Sequence, residues 1–222
     1  MPITKFVINL DSRPDRWQYW EGRKGYIRWR ATSREEISPE SHLIEKMISY
    51  HNIRYTPQHK SKIACMVSHI NLWRHIITNK LDKVVILEDD ALGFVREEHM
   101  EGLMDDGITY LGGFFVAPQI TKKLHRGEVE KDLVCGLNLV DPSKFKVMCC
   151  LAYYIPTWQV AMEMYVTIMD KERYRAIDIM IANEESIKKY FVYPAWFAES
   201  TTGGSDIRES QKKFARSDYT FK

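Results

Sequence analysis

In VVILEDDA (84–91), four consecutive apolar residues run straight into three carboxylates. The unbroken, β-branched run lacks the alternation of a half-exposed strand. Val84–Leu87 therefore reads as a central strand covered on both faces. Glu88, Asp89 and Asp90 follow at its carboxyl end. Like charges this close raise one another's pKa unless a cation joins them. A hard divalent cation with oxygen ligands meets that need, and Mn²⁺ or Mg²⁺ bound together with substrate phosphates is the usual form. Residues i and i+2 lie on one side of an extended chain, so Glu88 and Asp90 are expected to face a site together and Asp89 to point away. A solvated acidic turn is the other reading of the same residues.

Upstream, Ile63, Val67, Ile70, Trp73 and Ile77 recur at the spacing of one helix face, which predicts a helix over 61–78. Ser68-His69 lies on it, as a structural histidine or as a catalytic one. Nearer the N-terminus, FVINL (6–10) reads as a buried first strand ended by the polar loop Asp11–Arg16. Arg13 and Arg16 in that loop suit bidentate phosphate recognition, and surface charge is the alternative. Between residues 13 and 34, seven basic residues face two acidic ones, and Trp17, Tyr19, Trp20, Tyr26 and Trp29 are interleaved with them. These aromatics serve core packing or stack on a base. Ser38-Pro39-Glu40 reads as a helix start.

Downstream, the balance reverses, with eight acidic residues and one basic residue between 88 and 106. Ile108–Leu111 reads as a strand closed by Gly112-Gly113, and 117–146 as a variable surface region. Val147–Ile155 is expected to form one strand stopped by Pro156. A helix is predicted over Gln159–Met169 and a last strand over Ile187–Tyr193. Asp178 in YRAIDIMI is a carboxylate among apolar neighbours, either a general base in a cleft or a helix-terminal or salt-bridged residue. The polar stretch 201–206 (TTGGSD) reads as a loop that closes over a ligand or as a linker.

Strands alternating with helices give an α/β class with a mostly parallel sheet. In such sheets ligands bind at the carboxyl ends of strands, where the loops 11–16 and 88–90 both fall. The domain is expected to span 1–206, with a solvated tail over 207–222. The chain has 222 residues, 45% hydrophobic and 28% charged, which suits one soluble domain. Its 32 basic and 30 acidic residues leave a net charge of +2, no argument for nucleic-acid binding over the whole surface. The four cysteines, at 65, 135, 149 and 150, make no CxxC pair, which excludes zinc-ribbon and thioredoxin-like readings. Adjacent Cys149 and Cys150 read as buried thiols and point to a reducing compartment. The apolar run before Asp11 is too short for a signal peptide, and no run approaches a membrane span. A cytoplasmic location is the expectation.

In chain order, VINLDSRPDRW (7–17), SHINLW (68–73), VVILEDDA (84–91), YLGG (110–113), AYYIP (152–156), Asp178 and SDI (205–207) together resemble glycosyltransferase family 25. Bacterial members of that family decorate lipooligosaccharide, and related domains glycosylate collagen hydroxylysine. The resemblance spans most of the chain from residue 6 to 207. It is similar to the small members encoded by viruses, phages and bacteria. Two segments depart from the family pattern. Ala64-Cys65-Met66-Val67 stands where Gly-Cys is usual ahead of Ser-His, and Thr157-Trp158-Gln159 replaces a small-residue segment that shapes the acceptor pocket.

The resemblance implies a GT-A fold, a single Rossmann-like α/β domain with a mixed, mostly parallel sheet. It implies an inverting enzyme that moves a hexose from a nucleotide-sugar, commonly a UDP-sugar, to a hydroxyl of a glycan, lipid-linked saccharide or protein-glycan acceptor. The acidic triad becomes the counterpart of the Asp-x-Asp element that holds Mn²⁺ on the donor diphosphate. Asp90 is then the direct metal ligand, with Glu88 supporting it. Arg13 and Arg16, with Asn9 and Asp11 of the same stretch NLDSRPDR (9–16), fall on the nucleotide side. Ser205 and Asp206 become donor or metal contacts, and Asp178 the base. Transfer to hydroxymethylated DNA bases and a noncatalytic nucleotide-sugar-binding module are the alternatives. A nucleotidyltransferase is less favoured, because residues 11–16 contain no glycine for a phosphate loop.

Overall fold

In the computed structural model, residues 3–38, 42–43, 45–46, 57–95, 97–119, 124, 129, 133–172 and 174–200 are described. The run Val84–Leu87 is fully buried and forms most of strand β3 (Val84–Glu88). Strand β1 (Thr4–Asn9) pairs with it in parallel, with Ile8 opposite Glu88. On the other side of β1 runs β2 (Tyr26–Arg30), also parallel. The full sheet has seven strands in the order β2-β1-β3-β9-β5-β10-β7. Here β5 is Gly107–Tyr110, β7 is Gly136–Leu139, β9 is Ala152–Ile155 and β10 is Lys188–Tyr193. Strands β9 and β7 run against the others, so the sheet is mixed and mostly parallel, as the α/β reading requires. The two short reversed strands need no crossover helix, which shortens the chain needed to complete the sheet.

Both faces of the sheet are covered, which is why its central strands are apolar throughout. Phe6, Ile8, Val84 and Ile86 face one core. Against them pack Ile63, Met66, Ile70, Trp73 and Ile76 of helix α2 (Pro57–Thr78). The four-residue helix α1 (Pro14–Trp17) precedes it in the chain. Helices α3 (Trp158–Met169) and α4 (Ile177–Asn183) close the same side. Thr157 caps α3 by accepting from the Val160 N–H at 3.3 Å. Val7, Val85 and Leu87 face a second core with Trp20, Val95 and Leu111. Trp17, Tyr19 and Tyr26 pack on that second core and Trp29 on the first, so the interleaved aromatics serve packing.

Several expectations change. The single strand read over Val147–Ile155 is two, β8 (Lys146–Met148) and β9, broken at Cys149. Cys149 takes a φ of 74°, outside the strand region, and the chain turns there. Strand β8 pairs with β6 (Phe114–Val116) in a separate ribbon. The region read as variable surface supplies β7, an edge strand of the main sheet. Strand β2 occupies what reads as a basic, aromatic stretch; it is an edge strand whose Arg28 bonds to Asn9 and whose Arg28 and Arg30 pair with Asp11. Helix α2 begins earlier than predicted. All four cysteines are free thiols, as read from the sequence, but of the adjacent pair Cys150 is buried and Cys149 only partly so. Pro39, Glu40, the 201–206 loop and the 207–222 tail lie outside the described residues. Among the described residues, no helix is long and apolar enough to cross a membrane.

A small ribbon of β4 (Ala91–Gly93) and β11 (Phe197–Glu199) follows directly on the acidic triad. Gly93 has a φ of +154°, and a Cβ there would sit 2.3 Å from the Trp196 carbonyl oxygen. Only glycine lets the two strands approach so closely. Gly93→Ala is expected to cost ~1–3 kcal/mol in a denaturant titration.

Candidate active site

Parallel pairing of β1, β2 and β3 brings their carboxyl-terminal loops to one edge. There a cavity of about 480 Å³ opens. The loop after β1 contributes Leu10, Ser12 and Arg16, and the segment 31–35 after β2 forms a second wall. Ser61, Cys65, Ser68 and His69 of α2 form a third, and Glu88, Asp89 and Asp90 close it. Ser68 secures two of these walls together. Its hydroxyl donates to the Ala64 carbonyl at 2.7 Å and accepts from the Thr32 N–H at 2.9 Å.

The three carboxylates have different surroundings. Asp89 is buried and bridged to β1: Arg16 donates to one oxygen at 2.6 Å and the Asn9 amide to the other at 2.8 Å. Burial pushes its pKa up, and Arg16 and Asn9 pull it back. Glu88 turns toward α2, with one oxygen 3.5 Å from His69 Nε2 and 3.9 Å from the Cys65 sulfur. Asp90 faces Arg16 at 3.7 Å, and its Oδ1 is buried with no hydrogen-bond partner among the described residues. Burial pushes the Asp90 pKa up to about 7, helped by Glu88, resisted by Arg16, and raised further by Asp89 and Glu199. Residues 89–90 form a turn, so the two-residue repeat of extended chain stops at Glu88. That geometry, rather than strand alternation, separates the roles of Glu88 and Asp90.

The remaining predicted residues fall in several places. Arg16 lines the cavity, but its guanidinium is engaged by Asp89 and Asp90. Arg13 is largely buried and pairs with the exposed Asp15 at 3.0 Å. Asn9 is fully buried and committed to the fold: it donates to Asp89 and to the Arg13 carbonyl and accepts from Arg28 at 2.8 Å. Asp11 is exposed and pairs with Arg28 and Arg30 at 3.1 and 2.8 Å. None of these three, Arg13, Asn9 or Asp11, lines the cavity. Asp178 opens α4, where its oxygens accept from the Ile179 N–H at 2.8 Å and the Cys149 N–H at 3.3 Å. Asp178 does not line the cavity; its charge, with burial and the charges of Glu88 and Asp90, pushes the Cys65 thiol pKa up. Ser205 and Asp206 lie outside the described residues.

Sequence reading missed Thr32 and Ser33 as wall residues, because the loop after β2 is visible only once β2 is seen as a strand, and it passed over Ser12 in a loop marked for its arginines. It also missed Ser200, whose N–H donates to the Asp90 carbonyl at 2.6 Å and ties β11 to the acidic turn.

The charge arithmetic is one-sided. Arg16 offsets one of three negative charges, and the buried Asp90 oxygen lacks a donor. An orphaned carboxylate oxygen at a cavity wall is chemically suited to a hard divalent cation. Without one, Asp90 penalises folding wherever it is ionised. The unfolded chain releases this proton near pH 3.8, whereas the folded protein keeps it up to about pH 7. Stability therefore falls as pH rises across that window. In metal-free protein, Asp90→Asn is expected to raise stability by on the order of 2–4 kcal/mol at pH 8 and to give no gain at pH 4. Thermal melts at the two pH values check this.

Residues 2–111, close to half of the chain, match the family described as glycosyltransferase family 25 (LPS biosynthesis protein). The matched span includes β1 through β5 and all of the cavity lining, whereas Asp178 lies beyond it. No curated protein matches the chain.

Proposed function

Since the chain belongs to glycosyltransferase family 25 and is a glycosyltransferase acting between a sugar donor and an acceptor, we propose that it is a metal-dependent inverting enzyme taking a hexose from a UDP-sugar to an acceptor hydroxyl. The acceptor we propose is a glycan, a lipid-linked saccharide or a protein glycan. The observation that carries this reading is the buried Asp90 oxygen, without a hydrogen-bond partner among the described residues, in an acidic triad that Arg16 only partly offsets.

In this reading Asp90 holds Mn²⁺ or Mg²⁺, with Glu88 in support. The cation supplies charge neutralisation for the diphosphate leaving group, worth several kcal/mol in such reactions. Arg16 pairs with Asp89 at 2.6 Å and lies farther from Asp90, at 3.7 Å, which leaves Asp90 the less neutralised of the two. Ser12, Thr32 and Ser33 offer hydroxyl and backbone donors along the walls for a nucleotide or sugar. Arg13 reaches the nucleotide from the rim after parting from Asp15. Ser205 and Asp206 complete the donor side from the late loop.

Asp178 takes the proton from the acceptor hydroxyl as it attacks the face opposite the leaving group. Its two backbone hydrogen bonds fix the carboxylate's direction. A base so placed contributes typically ~10²–10⁴-fold.

Calorimetric titration with UDP, with and without Mn²⁺ and with GDP and CDP as controls, tests the reading. Metal-dependent, UDP-selective binding is expected, and its loss in Asp90→Asn. Absence of any nucleotide binding overturns it. Asp178→Asn is expected to keep UDP affinity within about twofold and to lose at least ~10²-fold in transfer rate. Transfer near the wild-type rate in that variant places the base elsewhere.

A further inference from the structure

We propose that Cys65, His69 and Glu88 form a binding site for a soft divalent cation, Zn²⁺ in the first place, on the α2 wall of the cavity. This inference goes beyond the donor-binding reading and shares only Glu88 with it.

Cys65 and His69 are four residues apart on α2 and therefore on the same helix face. Glu88 ends β3 directly opposite them. Among the described residues, this is the one set of His, Cys, Asp and Glu whose ligand atoms converge, all lying within 4.8 Å of one another. A tetrahedral zinc site with bonds of ~2.0–2.3 Å has ligand-to-ligand edges of about 3.3–3.8 Å. The His69–Glu88 and Cys65–Glu88 separations, 3.5 and 3.9 Å, are already close to that range. Small side-chain rotations bring the third edge in.

The second observation is independent of this convergence. His69 has a side chain 1% exposed, and its Nε2 has no hydrogen-bond partner among the described residues. Leaving a buried ring nitrogen unused costs free energy. Its other nitrogen, Nδ1, lies 2.9 Å from the Tyr153 hydroxyl, which also accepts from the Trp73 indole at 2.9 Å. In the tautomer whose Nδ1–H donates to Tyr153, Nε2 turns its lone pair on Glu88 and Cys65. A histidine whose remote N–H is held by an oxygen is the arrangement that orients metal ligands.

Ligand chemistry separates this site from the one at Asp90. Thiolate and imidazole favour Zn²⁺ over Mn²⁺ or Mg²⁺, and carboxylate oxygen favours the harder ions. All three residues belong to the cavity lining. Three protein ligands leave a fourth position for a water or a ligand oxygen. Binding releases the Cys65 thiol proton to solvent, so uptake strengthens with pH.

The test is titration of the metal-free protein with Co²⁺, a spectroscopic substitute for Zn²⁺. One equivalent of Co²⁺ is expected to produce a near-ultraviolet sulfur-to-cobalt charge-transfer band, and Zn²⁺ to remove it. The band is expected to vanish in Cys65→Ser and to persist in Cys149→Ser and Asp90→Asn. Tyr153→Phe is expected to weaken Co²⁺ binding ~10–100-fold. Should the serine variant not fold, alkylation of the wild-type protein gives the same answer. Zn²⁺ is then expected to protect Cys65 from iodoacetamide, read by peptide mass spectrometry. Co²⁺ uptake without the band, a band that survives Cys65→Ser, or unprotected Cys65 each overturn the proposal. A cobalt band in a protein that binds no UDP leaves this site standing and removes the donor reading. UDP binding without the band does the reverse.

Discussion

Asp89 is a buried carboxylate held from two sides, by the Arg16 guanidinium at 2.6 Å and the Asn9 amide at 2.8 Å. A charge taken out of water this way persists only when it is paired and hydrogen-bonded. Its partners come from β1 and the loop after it, some 73 and 80 residues away in the chain. The parallel register that sets Ile8 opposite Glu88 brings them together. This network joins the carboxyl ends of two neighbouring strands, and the cavity is the space between the loops it fixes.

Asp89 lines the cavity with the other two acidic residues, but its carboxylate is already held by Arg16 and Asn9. The other two face different chemistry. Asp90 presents a bare oxygen in a field of like charge, and burial has raised its proton affinity. Glu88 looks across to a thiol and an imidazole on α2. A run of three carboxylates lining one cavity thus divides into one held by an arginine and an amide and two in other surroundings. The division follows from the turn at 89–90, because a continuous strand would have placed Glu88 and Asp90 on one side.

Strands β1 and β3 and helix α2 were legible because burial on both faces, or on one helical stripe, leaves a pattern in the residues themselves. Strand β2 was not. It lies at the sheet edge, where Arg28 reaches back to Asn9 and Asp11, so its composition reads as a charged loop. The break at Cys149 was equally hidden, since buried thiols and apolar neighbours look like an uninterrupted strand until the backbone turns. Of the arginine loop, the sequence marked both side chains as phosphate ligands. In the structure Arg16 answers to Asp89 and Asp90 and Arg13 to Asp15.

By itself, then, the sequence determined the α/β class, the central strand that ends in an acidic triad, and the edge of the sheet at which chemistry would lie. Those properties are local, written in hydrophobic runs and in the residues that stop them. Tertiary structure alone decided which carboxylate is paired, which is bare, and which meets Cys65 and His69. Each of those outcomes depends on a partner from a distant segment. The energy of a buried charge is set by what the fold puts beside it, not by its neighbours in the chain.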